Sequence, residues 1–262
     1  MQSHWFPAPD RLKDVLEGIW TIQAASDVRA TVLPDATPYL VFQRDGTRLV
    51  STDNDGESWS PVSLSGPRTS AFDIQLAASS QIFIVQLSSV GGFRTLGIPM
   101  NQVSDRCEDL TRVVDPSRLK LDELSERLMG DTNQESCVGL LQRWVRERAA
   151  NSGSGAVGQV VREMRKHAGN CGVSSLAGKL DVSRRHLGRL VREEVGLSPK
   201  LFGRVVRFDQ AVRLGRASPN LRLSQIASAS GYADQSHMNR EFMQLAGITP
   251  AEVQADNGAT IW

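Results

Sequence analysis

The chain repeats itself toward its C-terminal end. SSLAGKLDVSRRHLGRLVREEVGLSP aligns with LSQIASASGYADQSHMNREFMQLAGITP. Leu176-Ala177 falls on Ile226-Ala227, Leu187 on Met238, Arg189 on Arg240 and Val191 on Phe242. Gly196-Leu197-Ser198-Pro199 falls on Gly247-Ile248-Thr249-Pro250, and the offset is 50 or 51 residues throughout. Such a repeat constrains the fold more than any single motif, because each copy must be one supersecondary unit packed against its twin. Each copy reads as a short helix, a tight turn and a second helix with basic outward positions, which is the helix-turn-helix plan.

Local signals place the helix ends. Val157, Val160, Val161 and Met164 give one apolar face, closed by Gly169. Ser174 is expected to cap SLAGKL and Ser183 to cap RRHLGRLVREE, with Gly196 suited to the position just past the helix. Ser198-Pro199 opens a long helix to about Gly215, with Leu201, Val205, Phe208 and Val212 as its buried stripe. A helix from about Arg222 to Ser230 follows, then a Gly231-Tyr232-Ala233 turn and a helix capped by Asp234 that runs to about Ala246.

Charge divides the chain in the same way. Residues 156–262 hold 15 basic against 9 acidic side chains, whereas residues 1–155 hold 15 against 20, so a net charge of +1 hides a basic module joined to an acidic one. A basic module of this kind suits a polyanion. Residues 157–255 resemble the DNA-binding domain of the AraC/XylS family of transcription regulators. The likeness rests on Leu223, Ile226, Ala227, Gly231, Tyr232, Asp234, Ser236, Met238, Arg240, Phe242, Gly247, Thr249 and Pro250. It implies two helix-turn-helix units held by the long central helix, with both recognition helices presented to one face of B-DNA.

The reading face follows from what the apolar pattern leaves outside. In the first recognition helix, 183–194, Leu187, Leu190 and Val191 point inward, leaving Arg184, Arg185, Gly188 and Arg189 for the groove. Arg185 and Arg189 lie four apart and suit guanine O6 and N7. Gly188 contributes no side chain, so this copy should read fewer bases. In the second, 234–246, Met238 and Phe242 point inward and leave Gln235, Ser236, Asn239 and Arg240. Gln235 and Asn239 suit adenine; Arg240 suits guanine or a phosphate. His186 and His237 read as packing or phosphate-contacting groups, and Ser183 and Asp234 as caps that can also hold a phosphate. Two such helices should enter successive major-groove segments about 34 Å apart.

Residues 18 to about 90 alternate in short apolar runs, the pattern of an antiparallel β region. GIWTIQA, VRATVLP, YLVFQ, TRLVST, AFDIQLA and QIFIVQL are the candidate strands, with hairpin turns at Asp45-Gly46 and Asn54-Asp55-Gly56. Helical spacing then takes over at Leu119, Leu124 and Leu128 and again at Leu141, Trp144, Val145 and Arg148. The expected fold class is therefore α+β: a small barrel or sandwich with helices over 1–150, a linker at 151–156, an all-α DNA-binding domain over 157–255 and a flexible tail at 256–262. VLPDATPYLVFQ, LSGPRTSAFDIQL and LGIPMNQVSDRCEDL resemble the cupin-like domains that precede this DNA-binding domain in some family members. Ala36 stands where those relatives carry glycine, and Gln86 to Val90 stands where they carry Arg-Phe-Arg-Pro before the double glycine.

Trp20, Tyr39, Phe42, Trp59 and Phe72 are the candidate lining of an effector pocket. The alternative is a first domain that dimerises or binds a partner protein and senses nothing. A metal-dependent cupin enzyme needs two or three histidines with a carboxylate, and His4 is the only histidine in residues 1–155. Cys107, Cys137 and Cys171 form no CxxC and sit in no nucleophile motif, and no P-loop or GxGxxG is present. The expectation is a cytoplasmic protein with no enzymatic activity, cofactor, metal or membrane span. Its partners are double-stranded DNA, RNA polymerase, a small-molecule effector and, on the alternative reading, a second copy.

Overall fold

A computed structural model describes residues 1–44, 46–51, 58–149, 155–255 and 260–261, the last two by backbone alone. The N-terminal domain contains β1 (Gln2–Pro7), β2 (Leu16–Gln23), β3 (Val28–Val32), β4 (Tyr39–Gln43) and β5 (Leu49–Ser51). It continues through β6 (Val62–Ser65), β7 (Phe72–Leu76), β8 (Gln81–Leu87), α1 (Gly91–Leu96) and β9 (Cys107–Asp109). Helices α2 (Leu110–Val113), α3 (Pro116–Leu119), α4 (Leu121–Gly130) and α5 (Gln134–Ala149) complete it. Six strands form one antiparallel sheet in the order β1-β2-β8-β4-β6-β9, and β3, β7 and β5 form a second.

The six-stranded sheet lies between two apolar layers, and strand periodicity shows how. Successive side chains of a strand point to opposite faces. Ile82 and Ile84 of β8 join Tyr39 and Val41 of β4 in a core against the second sheet. Phe83, Val85 and Leu87 join Leu40 and Phe42 in a core beneath α4 and α5. Trp144 of α5 meets Phe42 edge-on at 6.3 Å and donates its Nε1–H to Leu119 O at 2.9 Å.

The Asp45-Gly46 turn is partly as expected. Thr47 N–H bonds to Arg44 O at 3.0 Å and Gly46 has φ +78°, but β4 and β5 enter different sheets, so the turn is a crossover between layers rather than a hairpin. Residue 45 and the Asn54-Asp55-Gly56 turn lie outside the described residues, as do 151–154 of the expected linker. The 256–262 tail is not free along its whole length: β10 (Thr260–Ile261) pairs in parallel with Thr31 and Val32 of β3.

The C-terminal domain is helical: α6 (Ala156–Lys166), α7 (Val173–Lys179), α8 (Arg184–Val195), α9 (Pro199–Ala217), α10 (Leu223–Ala229), α11 (Gln235–Ala246) and α12 (Pro250–Ala255). Helix α9 belongs to both halves. Its first turns supply Phe202, Val205 and Val206 to a core with α6, α7 and α8, and its later turns supply Phe208, Ala211 and Val212 to a core with α10, α11 and α12. Leu201, expected on the buried stripe, is half-exposed because Phe202 takes that position. Ser174 does not cap α7, since the helix starts two residues earlier than that cap requires, with Gly172 at the cap position.

The two domains share apolar cores. Leu33 is buried among Phe208, Ala211 and Val212, while Ala36 and Val90 are buried in the core of the first half. No described helix is long and apolar enough to cross a membrane.

Candidate nucleic-acid interface

Both recognition helices begin on the caps the sequence indicated. Ser183 Oγ accepts from His186 N–H at 3.1 Å, and Asp234 Oδ1 accepts from His237 N–H at 2.6 Å. Such a cap satisfies one of the orphan donors of a helix start and fixes the angle at which the helix leaves its turn. Gly196 and Gly247 end the two helices with left-handed φ of +88° and +67°.

On α8, Leu187, Val191 and Val195 are buried, and Arg184, Arg185, His186 and Arg189 are exposed. Arg189 is held rather than loose: Nη1 lies 3.3 Å from Glu193 Oε2, one turn on, and Nη2 lies 3.4 Å from His186 Nδ1. A side chain added at Gly188 would meet open space, because a cavity lined by Arg185, His186, Arg189, Arg192 and Ser198 lies above it. On α11, Gln235, Ser236 and Arg240 are exposed.

Two members of the second set are placed differently. His237 is half-buried with its ring edge-on to Tyr232 at 5.3 Å, a packing position. Asn239 is half-buried, and its Oδ1 is shielded with no hydrogen-bond partner among the described residues. Bidentate pairing with adenine uses both amide atoms, so Asn239 must rotate outward before it can read a base.

Between the two helices runs a cleft of about 870 Å³ whose cationic lining is Arg184, Lys200, Arg204, Arg207 and Arg240. At its floor is Glu241, a buried carboxylate on α11. Arg204 Nε donates to its Oε1 at 2.7 Å, and Arg207 Nε lies 3.5 Å from its Oε2. Arg204 also donates to Gln244 Oε1 at 2.8 Å, and Arg207 to Asn170 Oδ1 at 2.6 Å. Asn170 completes the chain by donating Nδ2–H to Gly231 O at 2.7 Å. Glycine suits position 231 because its φ is +79°, and a Cβ there would lie 2.1 Å from Asn170 Nδ2 and push that side chain off its bond to Gly231 O. Burial, and then the charge of Glu241, pushes the Tyr232 hydroxyl above its ordinary value. This network ties the loop between α6 and α7, through α9, to the turn and second helix of the second unit.

The candidate effector residues separate into two groups. Tyr39, Trp59 and Phe72 line a cavity of about 50 Å³ between the sheets, together with Val41, Ile74 and Ile84. Trp59 and Phe72 stack at 6.4 Å, and Trp59 Nε1–H donates to Ser51 Oγ at 2.9 Å. Phe42 is not part of this lining, because it points through the opposite face of β4 into the helix-side core. Trp20 is not part of it either; it packs at 4.8 Å against Trp5 of the edge strand β1. Among the described residues, no three His, Cys, Asp or Glu side chains gather as a metal-ligand set.

Residues 176–256 match a helix-turn-helix domain family, and residues 4–109 match a domain of unknown function. Over 78 residues the chain is 36% identical to the HTH-type transcriptional regulator GlxA of Rhizobium meliloti (strain 1021), a match that takes in 30% of this chain and 24% of that protein. The chain thus spans about a quarter of the length of that relative. The fold as a whole is similar to that of ToxT from Vibrio cholerae O395 in complex with (E)-4-(8-methylnaphthalen-1-yl)but-3-enoic acid, with a TM-score of 0.50 at 13% identity, covering 97% of this chain and 99% of the other. The DNA-binding domain of AdpA, solved with a target DNA, is 26% identical with a TM-score of 0.37 and covers 39% of this chain and 92% of its own.

Proposed function

We propose that this chain is a sequence-specific DNA-binding transcription regulator of the AraC/XylS type, a reading supported by the helix-turn-helix match over residues 176–256 and the 36% identity to GlxA over 78 residues. The observation that carries the reading is the pairing of α8 and α11, each capped at its start and each with exposed Arg or Gln side chains over a buried apolar face. Arg185 and Arg189 read one short box; Gln235, Ser236 and Arg240 read the other. Arg184, with Lys200 from the cleft, takes the phosphates between them, where positive charge is worth most. The protein would act near promoters by contacting or excluding RNA polymerase. Selection of bound duplexes from a random pool tests this: two short boxes about one helical turn apart are expected, and recovery of the pool without enrichment contradicts it.

The regulatory domain is taken as 1–150, the linker as 151–156 and the DNA-binding domain as 157–255. The first domain is read as the sensor of a small apolar molecule, supported by the apolar lining of the cavity between its sheets. About 50 Å³ is far below the 300–1,000 Å³ of ordinary ligand sites, so entry requires the sheets to part around Trp59 and Phe72. Melting of the intact protein in the presence of hydrophobic metabolite mixtures tests this. A raised midpoint that disappears in Phe72→Ala is expected. A protein that is dimeric by light scattering and whose melt no compound shifts favours a dimerisation module instead.

A further inference from the structure

The last carbonyls of an α-helix have no partner within the helix. Those at the ends of α8 and α11 are both met by one part of the N-terminal domain. Ser104 Oγ lies 2.9 Å from the carbonyl of Gly196, the residue that follows α8, and 3.1 Å from that of Met100, so its one O–H is shared between them with Gly196 the nearer. Ala71 N–H donates to the carbonyl of Leu245, in the last turn of α11, at 3.1 Å.

Ser104 and Ala71 stand on two loops that are stitched together. Gly66 N–H donates to Arg106 O and Asp105 N–H to Pro67 O, both at 3.0 Å. The Asp105 carboxylate accepts from Thr69 N–H at 2.6 Å and from Thr69 Oγ1 at 2.7 Å. The platform also presses closely on α8. A Cβ on Gly196 would lie 2.6 Å from Pro67 Cγ and 2.6 Å from Ser104 Oγ. Gly196 is therefore glycine for the approach of the N-terminal domain as well as for its left-handed φ.

We infer that this loop pair is a brace that fixes the position of one recognition helix relative to the other, and so sets the spacing between the two DNA boxes. The inference rests on the DNA-binding reading above. Ser104, Thr69 and Asp105 are its positioning residues, which act through the ends of α8 and α11. Helix α9 and the Glu241 network tie the two units from within the C-terminal domain, and the brace adds a second tie from outside it. The part of the N-terminal domain that reaches the recognition helices is thus also the part through which a change in that domain would alter which operators are accepted.

The test uses the intact protein and duplexes that carry both selected boxes with the native spacer, one base pair fewer, or one more. The unaltered protein is expected to bind the altered spacers about tenfold more weakly. Ser104→Ala combined with Thr69→Val is expected to narrow that difference to about twofold, with affinity for the native spacer within about threefold of the unaltered protein. Ser104→Thr, which keeps the hydroxyl, should retain the original preference. Where the double variant does not fold, Ser104→Ala alone is measured and should flatten the profile in the same direction. A folded variant with the spacer profile of the unaltered protein overturns the brace. Absence of specific binding by the unaltered protein on every spacer would sink the DNA-binding reading, and the brace with it.

Discussion

Arg204 of α9 donates its Nε–H to Glu241 of α11 at 2.7 Å, and this buried pair is what fastens the second recognition helix to the central one. Glu241 is 8% exposed and Arg204 27%. Removing one partner of a buried pair strands the other charge. Glu241→Ala should therefore cost about 3 kcal/mol, the low end for such pairs because Arg204 keeps some access to water. Urea unfolding measures this, and the loss should be accompanied by weaker reading of the second box while the first is retained.

Gly188 offers the opposite case. It sits within α8 and a Cβ there meets nothing. Gly188→Ala should raise stability by about 0.5–1 kcal/mol through helix propensity alone, read as a higher melting temperature.

Phe42 and Phe72 should part company when truncated. Phe42→Ala opens a hole in the fully packed helix-side core and should cost about 4 kcal/mol in denaturant unfolding, with no effect on binding of an apolar molecule between the sheets. Phe72→Ala should abolish that binding, because its ring is part of the lining.

Acid and base conditions should reveal Asp209. It accepts from Arg213 Nε at 2.8 and 3.0 Å, yet burial, and then the negative charge of Asp35, raises its carboxyl above the usual range. A group whose native value is raised binds protons more readily folded than unfolded. Its contribution is fully present below the unfolded value of about 3.9 and is lost as pH rises through the native value. Asp209→Asn should remove this loss, so stability plotted against pH should rise more steeply for the variant than for the unaltered protein across that window. Parallel curves from urea midpoints at several pH values would contradict it.

The C-terminal units were legible because their signals are local. Ser183, Asp234, Gly196, Gly247 and the Pro-started helices are each decided within about one turn of chain. The N-terminal domain was legible as strands but not as faces. YLVFQ is buried at every position, so its alternation gives no way to assign Phe42 to one layer and Tyr39 to the other. The β6 segment VSLS went unseen because Ser63 and Ser65 are buried where apolar residues were sought, and β1 because it is an exposed edge strand. Glu241 was passed over because a charge on an amphipathic helix is expected outside, and the arginine that draws it inward comes from 37 residues earlier in the chain. The ends of α8 and α11 likewise meet residues of another domain, which no local pattern records.

The most direct test is selection of bound DNA from a random pool with the intact protein, repeated with Arg189→Ala and with Arg240→Ala. Each variant is predicted to lose base preference in a different box of one bipartite site, by about 1–3 kcal/mol of discrimination at the affected position. Identical motifs from all three proteins would contradict the assignment of α8 and α11 as the two reading helices.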